Sequence, residues 1–289
     1  MIKEELSNEI FNSDDEIAWC PGCGNFAILK ALKTALMELN KRPEEVLLVS
    51  GIGQAAKLPH YLRANVFNGL HGRALPPAVA AKIINPELTV IVHSGDGDSY
   101  GEGGNHFIHN IRRNVDIAHF AHDNQIYALT KGQASPTTAL GQVTGVQTKG
   151  NIDQPLNPLL LALAAGAGFV ARGFTGRPEH LKELMKQAIT YPGYALVDIL
   201  QPCVTFNKVN TYRWYQDKVY ELSEGQDTND LNRALEQTME WGEKIPLGIF
   251  YRVEKPTFKD RLTWLADRPS LVDRIWEPRD AEHFMKELE

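Results

Sequence analysis

Cysteine is scarce in this sequence. The chain of 289 residues holds three cysteines, and a set so small and odd in number does not suit the disulfide framework of a secreted scaffold. Cysteines that stay reduced serve instead as ligands of metals or clusters, or as redox groups. We therefore expect a reducing compartment, with sulfur ligands rather than disulfides.

Basic runs and long apolar stretches are also missing. The formal net charge is −6 and the lysines and arginines are scattered, whereas a nucleic-acid site needs them clustered. No apolar stretch reaches the roughly 18 to 20 residues that span a bilayer, and the amino terminus is acidic rather than signal-like. We expect a cytoplasmic protein that binds neither nucleic acid nor membrane.

Acidic residues are absent between Glu45 and Glu87. Gly51 and Gly53 follow an apolar run there and imitate the fingerprint of a dinucleotide site, but that site needs an acidic side chain about 20 residues later to bind the ribose. Pro59 would also interrupt the helix that must follow. These absences argue against a nicotinamide-dependent dehydrogenase.

Short apolar runs that end in Gly, Asp or Asn are what the chain does have. Residues 89–93 and 117–122 are strand-like, and a segment of helical length separates them. Similar runs cover residues 46–50, 168–172 and 195–200. Strands that alternate with helices favour βαβ units. The sequence therefore predicts an α/β fold with a doubly wound, mostly parallel sheet.

Two polar side chains stand where two of these predicted strands end. Asp96 comes shortly after the run at 89–93, and Asn124 follows the run at 117–122. The carboxyl ends of neighbouring strands form the ligand crevice of an open α/β sheet, so these side chains can meet there. Both offer oxygen, which Mg²⁺ prefers, usually alongside phosphate. The pattern predicts a magnesium-bridged diphosphate site.

The same residues resemble a known motif. Gly95-Asp96-Gly97 followed by Asn124 is similar to the thiamine diphosphate motif, in which the Asp and Asn side chains and a backbone carbonyl, here that of Ile126, hold Mg²⁺ against the diphosphate. The likeness continues from the Trp-Cys-Pro-Gly-Cys-Gly that begins at Trp19 to the Gln-Pro-Cys that begins at Gln201. Over this range the chain resembles the β subunit of 2-oxoacid:ferredoxin oxidoreductases.

The resemblance implies a function and partners. The fold would be the thiamine diphosphate-binding fold, and the reaction the coenzyme A-dependent oxidative decarboxylation of a 2-oxoacid such as 2-oxoglutarate or pyruvate. Electrons would pass through iron–sulfur clusters to ferredoxin. In this family the α subunit carries the pyrimidine-binding half of the site and its activating glutamate, so this chain would be inactive alone.

Roles for single residues follow from the same resemblance. Lys57 and His71 stand on loops that face the cofactor or substrate in the family, and Lys131 would place a cation opposite the second carboxylate of a dicarboxylic 2-oxoacid. Salt-bridged surface groups are the alternative for these three, and a turn residue is the alternative for Asp98. The residues expected to bind the cofactor are Gly95, Asp96, Gly97, Asp98, Asn124, Ile126 and Thr130.

The family holds its proximal [4Fe-4S] cluster with four cysteines. Cys20, Cys23 and Cys203 stand at three of those places, and Gln54 stands at the fourth. A neutral amide is a poorer iron ligand than a thiolate. A three-cysteine cluster, a fourth ligand from outside the chain and a lost cluster all remain open. The second functional hypothesis is therefore a noncatalytic thiamine diphosphate-binding or redox-sensing subunit without a complete cluster.

Composition divides the chain into three segments. Residues 1–18 are acidic and polar and are expected to form an N-terminal arm on a partner. Residues 19–206 are expected to form the thiamine diphosphate-binding domain. Residues 207–289 are aromatic and charged and are expected to form a helical extension that packs on the domain and on the partner subunit. The Gly- and Thr-rich stretch 131–156 is long for a loop and is predicted to be a lid or a subunit contact over the cofactor.

Finer expectations concern helix ends and histidines. Apolar spacing predicts a helix over residues 25–40 with Asn25 as its cap, and Pro178 is predicted to begin another helix. The histidines are dense enough to imitate a metal cluster, but side chains alternate between the faces of a strand. They are therefore predicted to be packing or capping residues. They stand at positions 93, 106, 109, 119 and 122.

Overall fold

An eight-stranded sheet forms the centre of the molecule in a computed structural model that describes residues 8–223, 225–263, 269–275, 282, 285 and 286. The strands are β1 (Val46–Ser50), β2 (Asn65–Asn68), β3 (Thr89–Gly95), β4 (Ile117–Asp123), β5 (Phe169–Phe174), β6 (Tyr194–Leu200), β7 (Val219–Glu221) and β8 (Ile245–Arg252). The helices are α1 (Asn25–Glu38), α2 (Leu75–Ile84), α3 (Gly104–Arg113), α4 (Pro158–Ala164), α5 (Pro178–Thr190), α6 (Tyr212–Gln216) and α7 (Leu231–Met239). The order of the strands in the sheet is β2-β1-β3-β4-β6-β5-β8-β7.

The central strands are buried on both faces. All seven residues of β4 and of β6 are buried, as expected for parallel strands that helices cover on both sides. Alternate residues enter different cores: Phe120 packs with α1 and α5, whereas its neighbour Ala121 packs with α2, α3 and α4. Helices on both faces of a mostly parallel sheet confirm the predicted doubly wound α/β fold.

Three strands at the ends of the sheet were not predicted. All four residues of β2 are exposed, so this strand carries no apolar alternation to reveal it. β8 contains Pro246 and Gly248, two residues that argue against a strand, yet it pairs antiparallel with β5. β7 then pairs with β8. The helical reading of the region beyond residue 207 is therefore wrong in part, because this region contains α6 and α7 but also completes the sheet.

Some expectations for the two ends of the chain are not tested. The first seven residues of the expected arm, and Trp264 in the expected extension, lie outside the described residues. Phe11 is fully buried in the core beside α1. The contacts of both ends with a partner, and the boundaries at 18/19 and 206/207, stay predictions. Within the described part of the chain, no helix is long and apolar enough to cross a membrane.

Asn25 does not cap the first helix. The helix begins at Asn25, after an N-cap at Gly24 that offers no side-chain hydrogen bond. The Asn25 side chain is buried instead, with its Oδ1 2.8 Å from the Nδ1 of His122 and its Nδ2 donating to the carbonyl of Gln54. Tertiary hydrogen bonds thus replace the local one that the sequence suggested. Pro178 does begin α5, as predicted.

Three of the histidines are structural. His93 and His122 lie ring to ring, with Nδ1 and Nε2 2.9 Å apart, and His119 contacts the hydroxyls of Ser94 and Tyr194. Burial lowers the pKa of His119 to about 3, so this ring is neutral in the fold. No group of three His, Cys, Asp or Glu side chains among the described residues could hold a metal ion. These rings are packing residues, as predicted.

Acid should destabilise the fold through His119. The unfolded chain protonates this histidine near pH 6.5 and the folded chain near pH 3, so between these values the unfolded state binds the extra proton and stability falls as the pH falls. We expect His119→Gln to remove about 1.4 kcal/mol per pH unit from that fall. Urea unfolding at pH 6, 5 and 4 measures it. The exposed His60→Gln serves as the control, and equal slopes in both variants would contradict the assignment.

Candidate functional site

The ends of β3 and β4 build the candidate site. The two strands pair in parallel with Gly95 opposite His122. Asp96 and Asn124 therefore lie next to each other at the carboxyl ends of these central strands. They line one pocket together with Ile126, as the sequence predicted. The other residues that line it are Ile52, Gly53, Gln54, Ala55, His71, Gly95, Gly97, Asp98, Tyr127, Ala128, Leu129 and Thr130.

Asp96 is a buried acid without a charged partner. Its carboxylate is 2% exposed and accepts a hydrogen bond of 2.7 Å from the Thr137 hydroxyl, which also lies 2.8 Å from the carboxylate of Asp123. No basic side chain of the described chain forms an ion pair with Asp96. Burial raises the pKa of Asp96 to about 6. A divalent cation would offset the cost of this buried charge.

Asn124 and Ile126 are brought together by a local turn. The Oδ1 of Asn124 accepts from the backbone N–H of Ile126 at 3.0 Å, and Gln125 between them has a left-handed φ of 57°. The Asn207 side chain donates to the Asn124 carbonyl at 3.1 Å and holds the turn from outside. Residues that offer a carboxylate, an amide oxygen and a backbone carbonyl therefore line one pocket. This donor set fits Mg²⁺, which takes oxygen ligands.

Asp98 ties neighbouring loops to the site. Its Oδ1 accepts from the N–H of Gly72 at 2.6 Å and from the N–H of Ile52 at 3.1 Å. A Cβ at Gly51 would stand 2.1 Å from its Oδ2. The glycine that imitated a dinucleotide fingerprint is thus needed for the close approach of Asp98. This carboxylate shapes the loop around the pocket and is more than a turn residue.

His71 is held at the pocket by a network that sequence reasoning missed. Its Nδ1 lies 3.0 Å from the Oε2 of Glu102, and Glu102 also accepts a 3.0 Å hydrogen bond from the Tyr127 hydroxyl. The Tyr127 ring lies against the glycine loop, because a Cβ at Gly97 would be 2.1 Å from it. Nothing in the local sequence links these side chains, which meet only through the fold.

The two predicted catalytic lysines lie outside the lining of the pocket. The Nζ of Lys57 donates to the Ala18 carbonyl at 3.4 Å. Lys131 is exposed, has a left-handed φ of 82° and directly follows the lining residue Thr130. Its ammonium has no ion pair or hydrogen bond within the described ranges. Their catalytic roles stay predictions.

The stretch 131–156 is folded against the site. Thr137 reaches from it to Asp96, and Thr138 and Asn151 are buried. Its outer surface exposes apolar side chains among polar ones, with Val143 66% and Ile152 87% exposed. This stretch therefore supports the site through the hydrogen bond from Thr137 to Asp96, whereas its role as a lid or a subunit contact over the cofactor stays a prediction.

A second pocket gathers the cysteines. Cys20, Cys23 and Cys203 line it together with Gln54. Each sulfur has a hydrogen-bond donor: Thr205 Oγ1 for Cys20 at 3.2 Å, Gln201 Nε2 for Cys23 at 3.4 Å, and the N–H of Phe206 for Cys203 at 3.4 Å. Burial, and then the nearby charges of Cys203 and Cys20, raise the pKa of Cys23.

The donor set of this pocket is chemically suited to an iron–sulfur cluster. Such clusters are held by cysteine thiolates that are distributed over several irons, and three cysteines line this pocket. Hydrogen bonds to sulfur are typical of cluster ligands, whose charge they stabilise. Gln54, Asn124 and Ala128 line both pockets, so the cysteine pocket adjoins the cofactor pocket.

Family models match most of the chain. Residues 50–199 match the thiamine pyrophosphate enzyme C-terminal TPP binding domain. Residues 203–267 match the C-terminal part of the pyruvate ferredoxin oxidoreductase beta subunit. The first range contains both oxygen-rich strand ends, which supports the thiamine diphosphate reading of the pocket.

Two similar proteins carry related names. The chain is 46% identical over 270 residues to the 2-oxoacid:ferredoxin oxidoreductase subunit beta of Saccharolobus solfataricus, which covers 88% of each chain. It is 36% identical to the 2-oxoglutarate synthase subunit KorB of Methanocaldococcus jannaschii, over 86% of this chain and 93% of that one.

A solved structure agrees with these relatives. The 2-oxoglutarate:ferredoxin oxidoreductase from Magnetococcus marinus, with 2-oxoglutarate, coenzyme A and succinyl-CoA bound, is 35% identical to this chain, with a TM-score of 0.91. The match covers 98% of this chain and 96% of that one. Sequence, fold and pocket thus lead to one conclusion: the chain belongs to the β subunits of the 2-oxoacid:ferredoxin oxidoreductases.

Proposed function

We propose that this β subunit carries out the coenzyme A-dependent oxidative decarboxylation of a 2-oxoacid together with an α subunit, and that ferredoxin receives the electrons. The observation that carries the proposal is the oxygen-lined pocket at Asp96, Asn124 and Ile126, which adjoins the cysteine pocket. Thiamine diphosphate, when bound, supplies the electron sink that decarboxylation needs. The chain's own residues bind the diphosphate, orient it and exclude water.

Magnesium is proposed to lie between Asp96, Asn124 and the Ile126 carbonyl. The Thr137 hydroxyl bonded to Asp96 and the Asn207 amide bonded to Asn124 orient these groups. Such outer hydrogen bonds hold ligands in position before the metal binds. Gly95 is compatible with a bound diphosphate. A Cβ at this position would meet no protein atom within 4 Å, so the space beside the glycine is open to a ligand.

The α subunit is proposed to complete the site. The two acids that line this pocket, Asp96 and Asp98, are already engaged, one as a metal ligand and one with the backbone of Ile52 and Gly72. Glu102, the glutamate beside the pocket, already contacts His71 and Tyr127, so we propose that the glutamate that activates the cofactor comes from the α subunit. We also propose that the enzyme works in the cytoplasm, since a thiol-lined cluster site needs a reducing compartment.

The substrate is proposed to be a dicarboxylic 2-oxoacid such as 2-oxoglutarate. Lys131 supports this choice, because it directly follows Thr130 at the pocket and its ammonium is free of partners in the ranges that the structure describes. His71, held by Glu102, is the second polar group proposed to face the substrate. The similarity to enzyme subunits favours this function over a noncatalytic or redox-sensing subunit.

Removing either metal ligand should abolish magnesium-dependent cofactor binding. We expect Asp96→Asn and Asn124→Ala to weaken thiamine diphosphate binding more than about 100-fold, since even outer-shell changes cost 10- to 100-fold in metal affinity. Titration calorimetry of the αβ complex in Mg²⁺ measures the affinity. Asp217→Asn, an exposed carboxylate at the end of α6, is the matched control. Unchanged affinity in both site variants would show that the metal is bound elsewhere.

Lys131 should distinguish long from short substrates. We expect Lys131→Ala to lower kcat/KM for 2-oxoglutarate more than tenfold, which is about 1.4 kcal/mol of transition-state stabilisation, and to affect pyruvate much less. The reason is that a cation opposite a partly desolvated carboxylate stabilises it more than an exposed pair does. Reduction of ferredoxin by the αβ complex measures both rates.

Lys149→Ala is the control for this experiment, because Lys149 is also exposed and lies farther along the same stretch. Equal losses for both acids would assign Lys131 to the cofactor or to the structure. No loss for either acid would place Lys131 outside the substrate path.

A further inference from the structure

Gln54 lines the cysteine pocket and carries an unsatisfied acceptor. Its side-chain Oε1 is buried and has no hydrogen-bond partner among the residues that the structure describes. A buried acceptor left unpaired is destabilising, so such atoms in native proteins call for an explanation. The same side chain lines the pocket with Cys20, Cys23 and Cys203. A ligand in this pocket that accepts electron pairs would satisfy the Gln54 oxygen.

The Gln54 backbone is fastened to the segment that carries two of the cysteines. Its carbonyl accepts from the indole N–H of Trp19 at 2.9 Å and from the Nδ2 of Asn25 at 3.4 Å. Trp19 directly precedes Cys20, and Asn25 begins the helix just after Cys23. Two hydrogen bonds therefore attach the Gln54 backbone to residues on either side of Cys20 and Cys23. The fold therefore fixes the backbone position from which the Gln54 side chain extends.

We propose that the Oε1 of Gln54 is the fourth protein ligand of a four-iron cluster whose other three irons are bound by Cys20, Cys23 and Cys203. The proposal rests on the cluster of the proposed function and adds the identity of its odd ligand. The new bond is a donation of an oxygen lone pair to one iron, so it needs no oxidant and releases no proton. The iron at Gln54 then differs from the other three.

Two properties follow from a neutral oxygen in place of a thiolate. The cluster carries one negative charge less than a four-thiolate cluster, and the net charge of a cluster helps to set its reduction potential. The potential should therefore be more positive than with four cysteines. The iron–oxygen bond is also the weakest of the four. Mild oxidation should release that iron, as [4Fe-4S]²⁺ gives [3Fe-4S]⁺, Fe²⁺ and one electron, which ferricyanide accepts.

The test uses the copurified αβ complex, prepared without oxygen, with Gln54 unchanged, Gln54→Cys and Gln54→Ala. Gln216→Cys, an exposed glutamine at the end of α6, controls for an added thiol. Iron and sulfide content, the EPR spectrum after ferricyanide and the cluster's reduction potential are measured. Copurification of the α subunit and circular dichroism verify that each variant is folded.

We expect the unchanged complex to lose one iron and to show the EPR signal of a three-iron cluster after ferricyanide. Gln54→Cys should resist this loss and shift the potential to more negative values, whereas Gln54→Ala should already lack the fourth iron. Identical iron loss and potential in all three complexes would overturn the role of Gln54 and leave the cluster itself standing. Absence of iron from every complex that still binds thiamine diphosphate would overturn the cluster and, with it, this ligand.

Discussion

The parallel pairing of β3 with β4 is the constraint on which the site depends. Its register sets Gly95 opposite His122, so the chain leaves both strands at the same level of the sheet. Asp96 and Asn124, the proposed metal ligands, stand one residue beyond each strand and need no long loop to meet. A slip of one residue would turn every side chain of a strand to the other face. The buried residues on both faces of β4 prevent such a slip.

The pocket is supported from behind by a network of buried polar groups. Asp198 accepts a 2.8 Å hydrogen bond from the Tyr100 hydroxyl, and burial raises its pKa to about 6 while Arg172 opposes that rise. Arg172 is itself buried, with its guanidinium 5.4 Å from the ring centre of Trp241. Buried charges are tolerated when neighbours compensate them. The segment beyond residue 207 supplies Trp241, whose ring lies against this buried guanidinium.

Short sequence patterns were sufficient to predict the central strands and the polar residues that follow them. The central strands are apolar runs because both of their faces are buried. Asp96 and Asn124 follow two of these strands directly, so their meeting in one pocket could be predicted together with the strand ends. β2 was not predicted because its sequence, Asn-Val-Phe-Asn, is exposed throughout and shows no alternation of apolar and polar residues. The sequence did not reveal three supporting residues, because each contacts a site residue that is distant in sequence. They are Thr137, Glu102 and Asn207, which contact Asp96, His71 and Asn124, respectively. The prediction that Asn25 caps α1 was wrong for the same reason. Its side chain bonds to His122, which is distant in sequence, instead of to the helix end.

The backbone conformation at Lys131 limits which residues can replace this lysine. A φ of 82° there, followed by 100° at Gly132, places two consecutive residues in the left-handed region. Among residues with a side chain, Asn, Asp and His enter this region most readily, and β-branched residues strongly resist it. Valine, isoleucine or threonine at position 131 would therefore distort the turn before meeting any substrate. Few residue types fit the backbone at this position, whereas Leu129 lines the pocket and is not among the residues with a left-handed φ.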